Sequence, residues 1–223
     1  MTVVSTACDS LVHRLAMLPS AVGTLADSED AGEVRALLKL TDPIERHRAG
    51  EDVTRIFPPE DDYVGDHRKY VLAPFAYPNA SRFSDGSFGI LYAAFDLDTA
   101  AAEVAHWLSK PYQDTVAPAG IQPRKMYVTM RTVADLSDVR TSSSSNVSSA
   151  IYDKDNYTVS RQLGLELHAA RHPGLWYDSV RRNSGECIAA FLPRIISDAR
   201  PQYEVEFLWN GDRFAEFKPI RPL

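Results

Sequence analysis

The sequence is poor in cysteine and has no long apolar run. Only two cysteines, Cys8 and Cys187, occur among the 223 residues, and they form no CxxC pair. This argues against a disulfide framework or a cysteine metal cage and fits a reducing compartment. No stretch of about 18 apolar residues predicts a membrane span, and the first residues lack the pattern of a signal peptide. We therefore expect a cytoplasmic protein.

A basic surplus is also missing. The chain has 24 Lys and Arg against 30 Asp and Glu, which gives a formal net charge of −6. General nucleic-acid binders carry a basic stripe or surplus, so no direct nucleic-acid contact is expected. With 44% hydrophobic and 24% charged residues, the composition is that of a globular protein able to bury a core.

Several catalytic motifs are absent or incomplete. There is no GxxxxGK[ST] and no GxGxxG, so phosphate recognition would depend on Arg side chains. His168 and His172 have the spacing of two metal ligands on one helix, but Ala follows His168 where HExxH needs Glu. Ser179, Ser184 and Cys187 lack a GxSxG elbow. A metal hydrolase and a nucleophilic triad remain alternatives without positive support.

The N-terminal part of the sequence has a helical period. Apolar residues recur at spacings of three and four residues in CDSLVHRLAML (8–18) and in EDAGEVRALLKL (29–40), and this spacing predicts helices. We interpret residues 1–48 as a helical extension for packing, oligomerisation or the binding of a partner protein, and a homodimer is one expectation. Residues 58–87 are rich in Pro, Asp, Gly and Tyr and predict a long loop.

The rest of the chain, residues 49–223, mixes strands and helices. FGILYAAF (88–95) predicts a strand, followed by a helix that Asp98 caps and that ends near Ser109. Further strands are predicted in KMYVTMRTVADL, GLWYDSV, GECIAAFLP and QYEVEFLW, and a helix in NYTVSRQLGLELHAARH. The fold class is therefore α+β, with an N-terminal helical segment.

Three polar residues stand out in residues 80–107. Tyr92 shares its strand face with Phe88, Ile90 and Ala94, and Glu103 falls on a helix face with Ala100, Val104, Trp107 and Leu108. An unpaired carboxylate on an apolar face is costly. The structural alternatives are a surface Arg82, a core Tyr92 and a solvated Glu103.

Four stretches carry a family resemblance: TRIF (54–57), SRFSDGSFGILYAAFDLDTAAAEVAHW (81–107), NYTVSRQLG (156–164) and GLWYDSVRRNSGECIAAFLP (174–193). Over residues 50–220 the chain resembles the RES-domain toxins of bacterial toxin–antitoxin pairs. The signature Arg, Tyr, Glu and Ser fall on Arg82, Tyr92, Glu103 and Ser179. The family turn usually reads GGR[FW]NxxG, whereas Ser84 here replaces the Asn, which leaves the turn geometry open.

The resemblance implies a fold like that of ADP-ribosyltransferase toxins, with a mixed β core and flanking helices, and cleavage of NAD between nicotinamide and ribose. Glu103 would stabilise the oxocarbenium-like ribose, and Arg82 would grip the pyrophosphate with Arg55. Tyr92 would stack on the nicotinamide, and Ser179 would bind a phosphate, Arg82 or the ribose.

Ser160 and Gln162 would line the pocket. No metal or further cofactor is expected beyond NAD as substrate. The resemblance also implies a cognate antitoxin with a helix-turn-helix DNA-binding part. The alternatives are a protein mono-ADP-ribosyltransferase on the same site, a non-catalytic interaction module, and a delivered effector.

Overall fold

The computed structural model describes residues 3–18, 59–143 and 145–220. Within these ranges the chain forms seven strands and three α-helices. The strands are β1 Val4–Met17, β2 Leu91–Ala94, β3 Arg124–Asp138, β4 Gly174–Asp178, β5 Glu186–Ala190, β6 Ile196–Trp209 and β7 Phe214–Ile220. The helices are α1 Arg68–Ala76, α2 Leu97–Asp114 and α3 Thr158–Ala169, with short 3-10 turns at Pro59–Asp61, Ser149–Tyr152 and Pro193–Ile195. An α+β class, as predicted, is confirmed.

The strands form one sheet that closes on itself. Their order is β1-β2-β5-β4-β3-β6-β7, and β1 also pairs with β3 along its whole length. Five strands thus form a ring, closed by the pairing of His13 with Ala94, while β6 and β7 extend from the other edge of β3. Every pairing is antiparallel except that of β3 with β4. The closure protects edges that would otherwise stay open.

The two faces of the ring carry different cores. One face packs Cys8, Val12 and Ala16 of β1 against Val128 and Met130 of β3, with α1 beside them. The opposite face carries alternate residues of β2, β4 and β5 and is covered by α2 and α3, in a cluster that includes Ala94, Ala100, Leu163, Tyr177 and Cys187. Side-chain alternation separates the two sets, and the second face is where the predicted site residues lie.

The predicted helix over residues 8–18 is wrong, because residues 8–17 lie in β1. Cys8, Val12 and Ala16 are spaced by four, which is even and therefore satisfies the period of a strand as well as that of a helix. Leu11 is 56% exposed in the strand, although a helical phase would bury it. The described part of the 1–48 segment is thus a strand of the sheet; the second predicted helix, 29–40, lies outside the described residues.

Two further boundaries differ from prediction. Helix α1 lies inside the predicted 58–87 loop and buries Tyr70, Val71, Leu72 and Phe75, despite Pro74 within it. Helix α2 is capped by Asp96, not Asp98, since the Asp96 carboxylate accepts from the Thr99 amide at 2.8 Å. It continues past Ser109 to Asp114. None of the helices in the described ranges has the length and apolar character to span a membrane.

Candidate active site

A tight turn before β2 carries Arg82, and Ser84 closes it. The Ser84 hydroxyl is fully buried, donates to the Phe88 carbonyl at 2.7 Å and accepts from the Gly86 amide at 3.0 Å. The Ser84 carbonyl accepts from the Ser81 amide at 2.8 Å. Ser84 therefore supplies three hydrogen bonds within this turn, which explains how the chain forms it without the family's Asn.

Helix α3 supports the same turn from behind. A Cβ added to Gly164 would lie 1.8 Å from the Phe83 carbonyl oxygen, so only glycine permits this close approach. One turn earlier in the helix, Arg161 Nε donates to the Ser81 carbonyl at 2.9 Å. The residues on both sides of Arg82 are thus fixed by α3.

Tyr92 fixes the turn from the strand side. Its hydroxyl lies 2.9 Å from Ser81 Oγ and accepts from the Phe83 amide at 3.1 Å. Burial raises the pKa of Tyr92 to about 12, against the smaller lowering by its two partners and by Arg82. The hydroxyl therefore stays protonated and holds the segment on either side of Arg82.

Arg82 itself is buried, with 6% exposure. Its Nη1 donates to the carbonyls of Ile151 and Asp153, both at 2.9 Å. Its guanidinium lies 4.6 Å from the centroid of the Tyr157 ring. Within the described residues these partners are carbonyls and an aromatic face, so no carboxylate contacts its guanidinium.

Glu103 meets Ser179 across the gap between α2 and the loop after β4. The Ser179 hydroxyl donates to Glu103 Oε1 at 2.6 Å and accepts from the amides of Arg181 and Arg182, each at 3.1 Å. The Ser179 amide donates to the Gly185 carbonyl at 2.7 Å. The loop thus presents one hydroxyl, in a fixed orientation, to one carboxylate.

The electrostatics of Glu103 are unusual for a surface helix. Burial raises its pKa, and this outweighs the lowering by the Ser179 hydrogen bond and by the charges of Arg82 and Arg181. The charges of Arg82 and Glu103 also act on the pKa of Tyr92, which Arg82 lowers and Glu103 raises. A shielded carboxylate with so little compensation can stabilise a cation that binds or forms beside it.

The structure brings four predicted residues together and separates others. Arg82, Tyr92, Glu103 and Ser179 converge as described above. Gln162 is exposed and donates to Glu166 Oε1 at 2.8 Å, on the surface of α3. Ser160 is buried and donates to the Tyr157 carbonyl at 3.1 Å, while Arg55 lies outside the described residues.

Sequence reasoning missed Tyr157, Arg181 and the placement of Trp107. Trp107 is 44% exposed, and its ring lies 6.2 Å from that of Tyr157. Tyr157 and Arg181 both lie inside the family-like stretches NYTVSRQLG and GLWYDSVRRNSGECIAAFLP. An aromatic or cationic residue beside a signature residue was the available signal.

The residues considered for a metal site and for a nucleophile have packing or hydrogen-bonding contacts instead. His168 stacks on Phe88 with ring centroids 3.9 Å apart, and His172 Nε2 lies 3.1 Å from Ser137 Oγ. Over the described ranges, no group of three or more His, Cys, Asp or Glu side chains could hold a metal ion. Burial raises the pKa of the Cys187 thiol, which keeps it protonated and a poor nucleophile.

The architecture is a closed mixed sheet in which a turn, a strand, a helix and a loop bring an Arg, a Tyr, a Glu and a Ser to one place. A family model described as the RES domain matches residues 52–210. The chain therefore belongs to the RES domain family, and the resemblance read from the four motif stretches is confirmed.

Two further comparisons are weaker. None of the curated proteins compared with the chain matches it. Among solved structures, the chain is similar to one in the crystal structure of the M. tuberculosis MbcT–MbcA toxin–antitoxin complex. The identity is 12%, the match covers 66% of this chain and 81% of that chain, and the TM-score is 0.41.

Proposed function

We propose that the chain is the toxin of a toxin–antitoxin pair and that it cleaves NAD between nicotinamide and ribose. Membership in the RES domain family supports the first part. The observation that carries the second is the Glu103 carboxylate, which is shielded, has a raised pKa and is oriented by Ser179.

The proposed reaction needs one carboxylate. The nicotinamide of NAD is already a cation and leaves as a neutral ring, so no general acid is required. Positive charge develops on the ribose, as in other glycosidic cleavages. Ser179 occupies Oε1 of Glu103, and Oε2 would face the developing charge. Low polarity around the carboxylate strengthens this stabilisation.

The remaining residues would bind and orient the dinucleotide. Arg82 is a planar cation with carbonyl rather than carboxylate partners, which suits it to a pyrophosphate. Tyr92 would fix the Arg82 turn through its hydroxyl, and stacking of its ring on nicotinamide stays a prediction. Arg55 stays a second candidate for the pyrophosphate.

The partner we propose is a cognate antitoxin with a helix-turn-helix DNA-binding part, as the family resemblance implies. It would cover the Glu103 site and stop NAD loss, while the toxin itself contacts no DNA. We also propose a cytoplasmic location, where NAD would be available and a DNA-binding antitoxin would act. The experiment is therefore made on antitoxin-free protein.

The test is to incubate the purified chain with NAD, with and without inorganic phosphate, and to identify the products by mass spectrometry. Nicotinamide with ADP-ribose indicates hydrolysis, and ADP-ribose-1″-phosphate indicates phosphorolysis. Glu103→Ala should abolish turnover while NAD still binds. Glu166→Ala is the matched control, because Glu166 is an exposed glutamate on α3, and it should keep full activity.

Two results would contradict the proposal. The first is intact NAD after incubation with folded, antitoxin-free wild-type protein. The second is unchanged NAD cleavage by Glu103→Ala. Transfer of ADP-ribose to a protein, in place of free products, would instead support the ADP-ribosyltransferase alternative on the same site.

A further inference from the structure

Three arginines converge on one tyrosine in a chain whose net charge is −6. The guanidinium carbons of Arg82 and Arg161 lie 4.6 and 5.5 Å from the centroid of the Tyr157 ring. Arg181 Nη2 donates to the Tyr157 hydroxyl at 3.1 Å. Like charges repel, so such a cluster costs free energy unless an anion joins it.

Most other arginines in the described ranges have an acidic partner, although Arg14 also donates to a carbonyl, that of Tyr92. Eight arginines elsewhere in the described ranges form ion pairs with Asp or Glu: Arg68, Arg124, Arg131, Arg140, Arg171, Arg182, Arg194 and Arg200. The three at Tyr157 form no such pair with a described residue. They donate instead to carbonyls, of Ile151 and Asp153 for Arg82, of Ser81 for Arg161 and of Lys154 for Arg181. Carbonyls orient a guanidinium without cancelling its charge.

Arg181 is also placed next to the reacting group. Its amide donates to the Ser179 hydroxyl that contacts Glu103, and its charge lowers the pKa of Glu103 against the larger effect of burial. Its side chain is half-buried, and the groove of about 550 Å³ that it borders between α2 and β7 is lined by neither Glu103 nor Tyr157. Arg181 is therefore partly accessible to a ligand and is linked to Glu103 through Ser179.

We propose that Arg181 is a second phosphate-binding residue of the site, beside Arg82, and that Tyr157 positions both guanidinium groups. The inference rests on the proposed cleavage of NAD and names the residues that hold its diphosphate. Tyr157 can position two cations at once because its ring face attracts one and its hydroxyl accepts from the other. Two planar guanidinium forks match the oxygens of a diphosphate.

The test compares three substrates that share the scissile bond and differ in phosphate: NAD, nicotinamide mononucleotide and nicotinamide riboside. At pH 8, Arg181→Gln should raise KM for NAD by about 10- to 100-fold, the loss of a charged hydrogen bond. The kcat should change little. Cleavage of the riboside, which has no phosphate, should stay within twofold of wild type.

A second readout needs no turnover of the riboside. Calorimetric binding of ADP-ribose should weaken in Arg181→Gln by the same factor, while inhibition by nicotinamide should be unchanged. Binding of ADP-ribose by a wild-type chain that does not cleave NAD would defeat the proposed function and leave this inference standing. Equal losses for all three substrates, or an unchanged KM for NAD, would overturn the role of Arg181.

Tyr157→Phe separates positioning from binding. It keeps the ring beside Arg82 and removes the hydroxyl that holds Arg181, so KM for NAD should rise about 2- to 5-fold, as for one neutral hydrogen bond. Combined with Arg181→Gln it should add nothing further. Full additivity would contradict the positioning role.

Arg200→Gln is the matched control. Arg200 is an exposed arginine of β6, and Asp198 balances its charge at 2.8 Å. The KM of this variant for NAD should stay within twofold of wild type. Thermal melting of every variant shows that the comparison is made on folded protein. An equal rise in KM for Arg200→Gln would mean that the net charge of the chain acts, and would overturn the specific assignment to Arg181.

Discussion

Asp138 and Glu103 are both carboxylates that the fold shields from solvent, yet their surroundings differ. Burial raises the pKa of Asp138, but Arg140 outweighs it with hydrogen bonds to both oxygens at 3.0 and 2.6 Å, and the pKa is lowered. Burial also raises the pKa of Glu103, and there the Ser179 hydroxyl and two nearby arginines fail to outweigh it. The fold therefore stabilises the charged form of Asp138 and does not fully stabilise the charged form of Glu103.

The difference extends to the cations. Arg140 is matched by Asp138 and Glu186 and covers the Trp176 ring at 3.7 Å. Arg82 and Arg181 are oriented by carbonyls and by Tyr157 without an ion pair to a described residue. The ion pairs of Arg140 link β3 and β5. Arg82, Arg181 and Glu103 form no direct ion pair with a described residue, so they are available for a ligand that carries both negative and positive charge, as NAD does.

The largest effect is expected from Glu103→Gln, which keeps the shape of the unmatched carboxylate and removes its charge. The kcat for NAD cleavage should fall roughly 10³-fold, since a preorganised charge beside the transition state is lost. The affinity for NAD should stay near that of wild type. Steady-state kinetics and calorimetry measure the two quantities, and a variant with wild-type kcat would remove Glu103 from the mechanism.

The next largest effect is expected from Arg140→Gln, which removes the cationic partner of Asp138. The free energy of unfolding should fall by about 2–3 kcal/mol, below the loss typical of a fully buried pair, because the Arg140 side chain is 17% exposed. The lowered pKa of Asp138 contributes stability above the unfolded pKa, and this is lost as pH falls through the folded pKa. Urea denaturation should therefore show a larger penalty at pH 7 than at pH 3; equal penalties at both would contradict the pairing.

Gly164→Ala changes the site without touching a charge. The added methyl would displace the Phe83 carbonyl, and with it the turn that carries Arg82. We expect a loss of about 1–3 kcal/mol in unfolding free energy from overpacking and a higher KM for NAD. Gly120→Ala is the control, since no atom lies within 4 Å of its added Cβ, although its φ of +93° adds a local backbone cost. If folded Gly164→Ala kept the wild-type KM for NAD, the position of this turn would not matter for NAD binding.

The smallest effect is a gain in stability for Glu103→Gln. The folded pKa of Glu103 is raised, so its ionisation costs stability as pH rises from the unfolded to the folded pKa, and the cost remains at higher pH. The variant should melt higher than wild type at pH 7, by roughly 2–4 °C for each kcal/mol regained. The difference should vanish below about pH 4. A lower melting temperature at pH 7 would show that Glu103 is well compensated in the fold.

Part of this site is readable in the sequence. Alternation along FGILYAAF placed Tyr92 on the face of Phe88, Ile90 and Ala94, and these residues share one cluster. The helical face of Glu103 was right for Ala100, but Val104 and Leu108 pack with a different cluster toward β6 and β7. A helix can face two layers, and periodicity alone does not assign a residue to one of them.

Other features depend on tertiary contacts that periodicity does not carry. The even spacing in β1 fits two secondary structures, and the choice is made by its pairing with β3. The Ser179–Glu103 contact joins residues 76 positions apart in the chain. The partners of Arg82 and Arg181 are largely backbone carbonyls. Every residue type has a backbone carbonyl, so no sequence pattern predicts these partners.

The most direct test is the pH dependence of kcat/KM for nicotinamide release from NAD by the wild-type chain, since this quantity reports the pKa of the free enzyme. We predict that kcat/KM falls on acidification with a midpoint above the ordinary pKa of glutamate, about 4.3, because burial raises the pKa of Glu103 and its protonation removes the charge that stabilises the ribose cation. A midpoint at or below that value, or no release of nicotinamide at any pH, would contradict it.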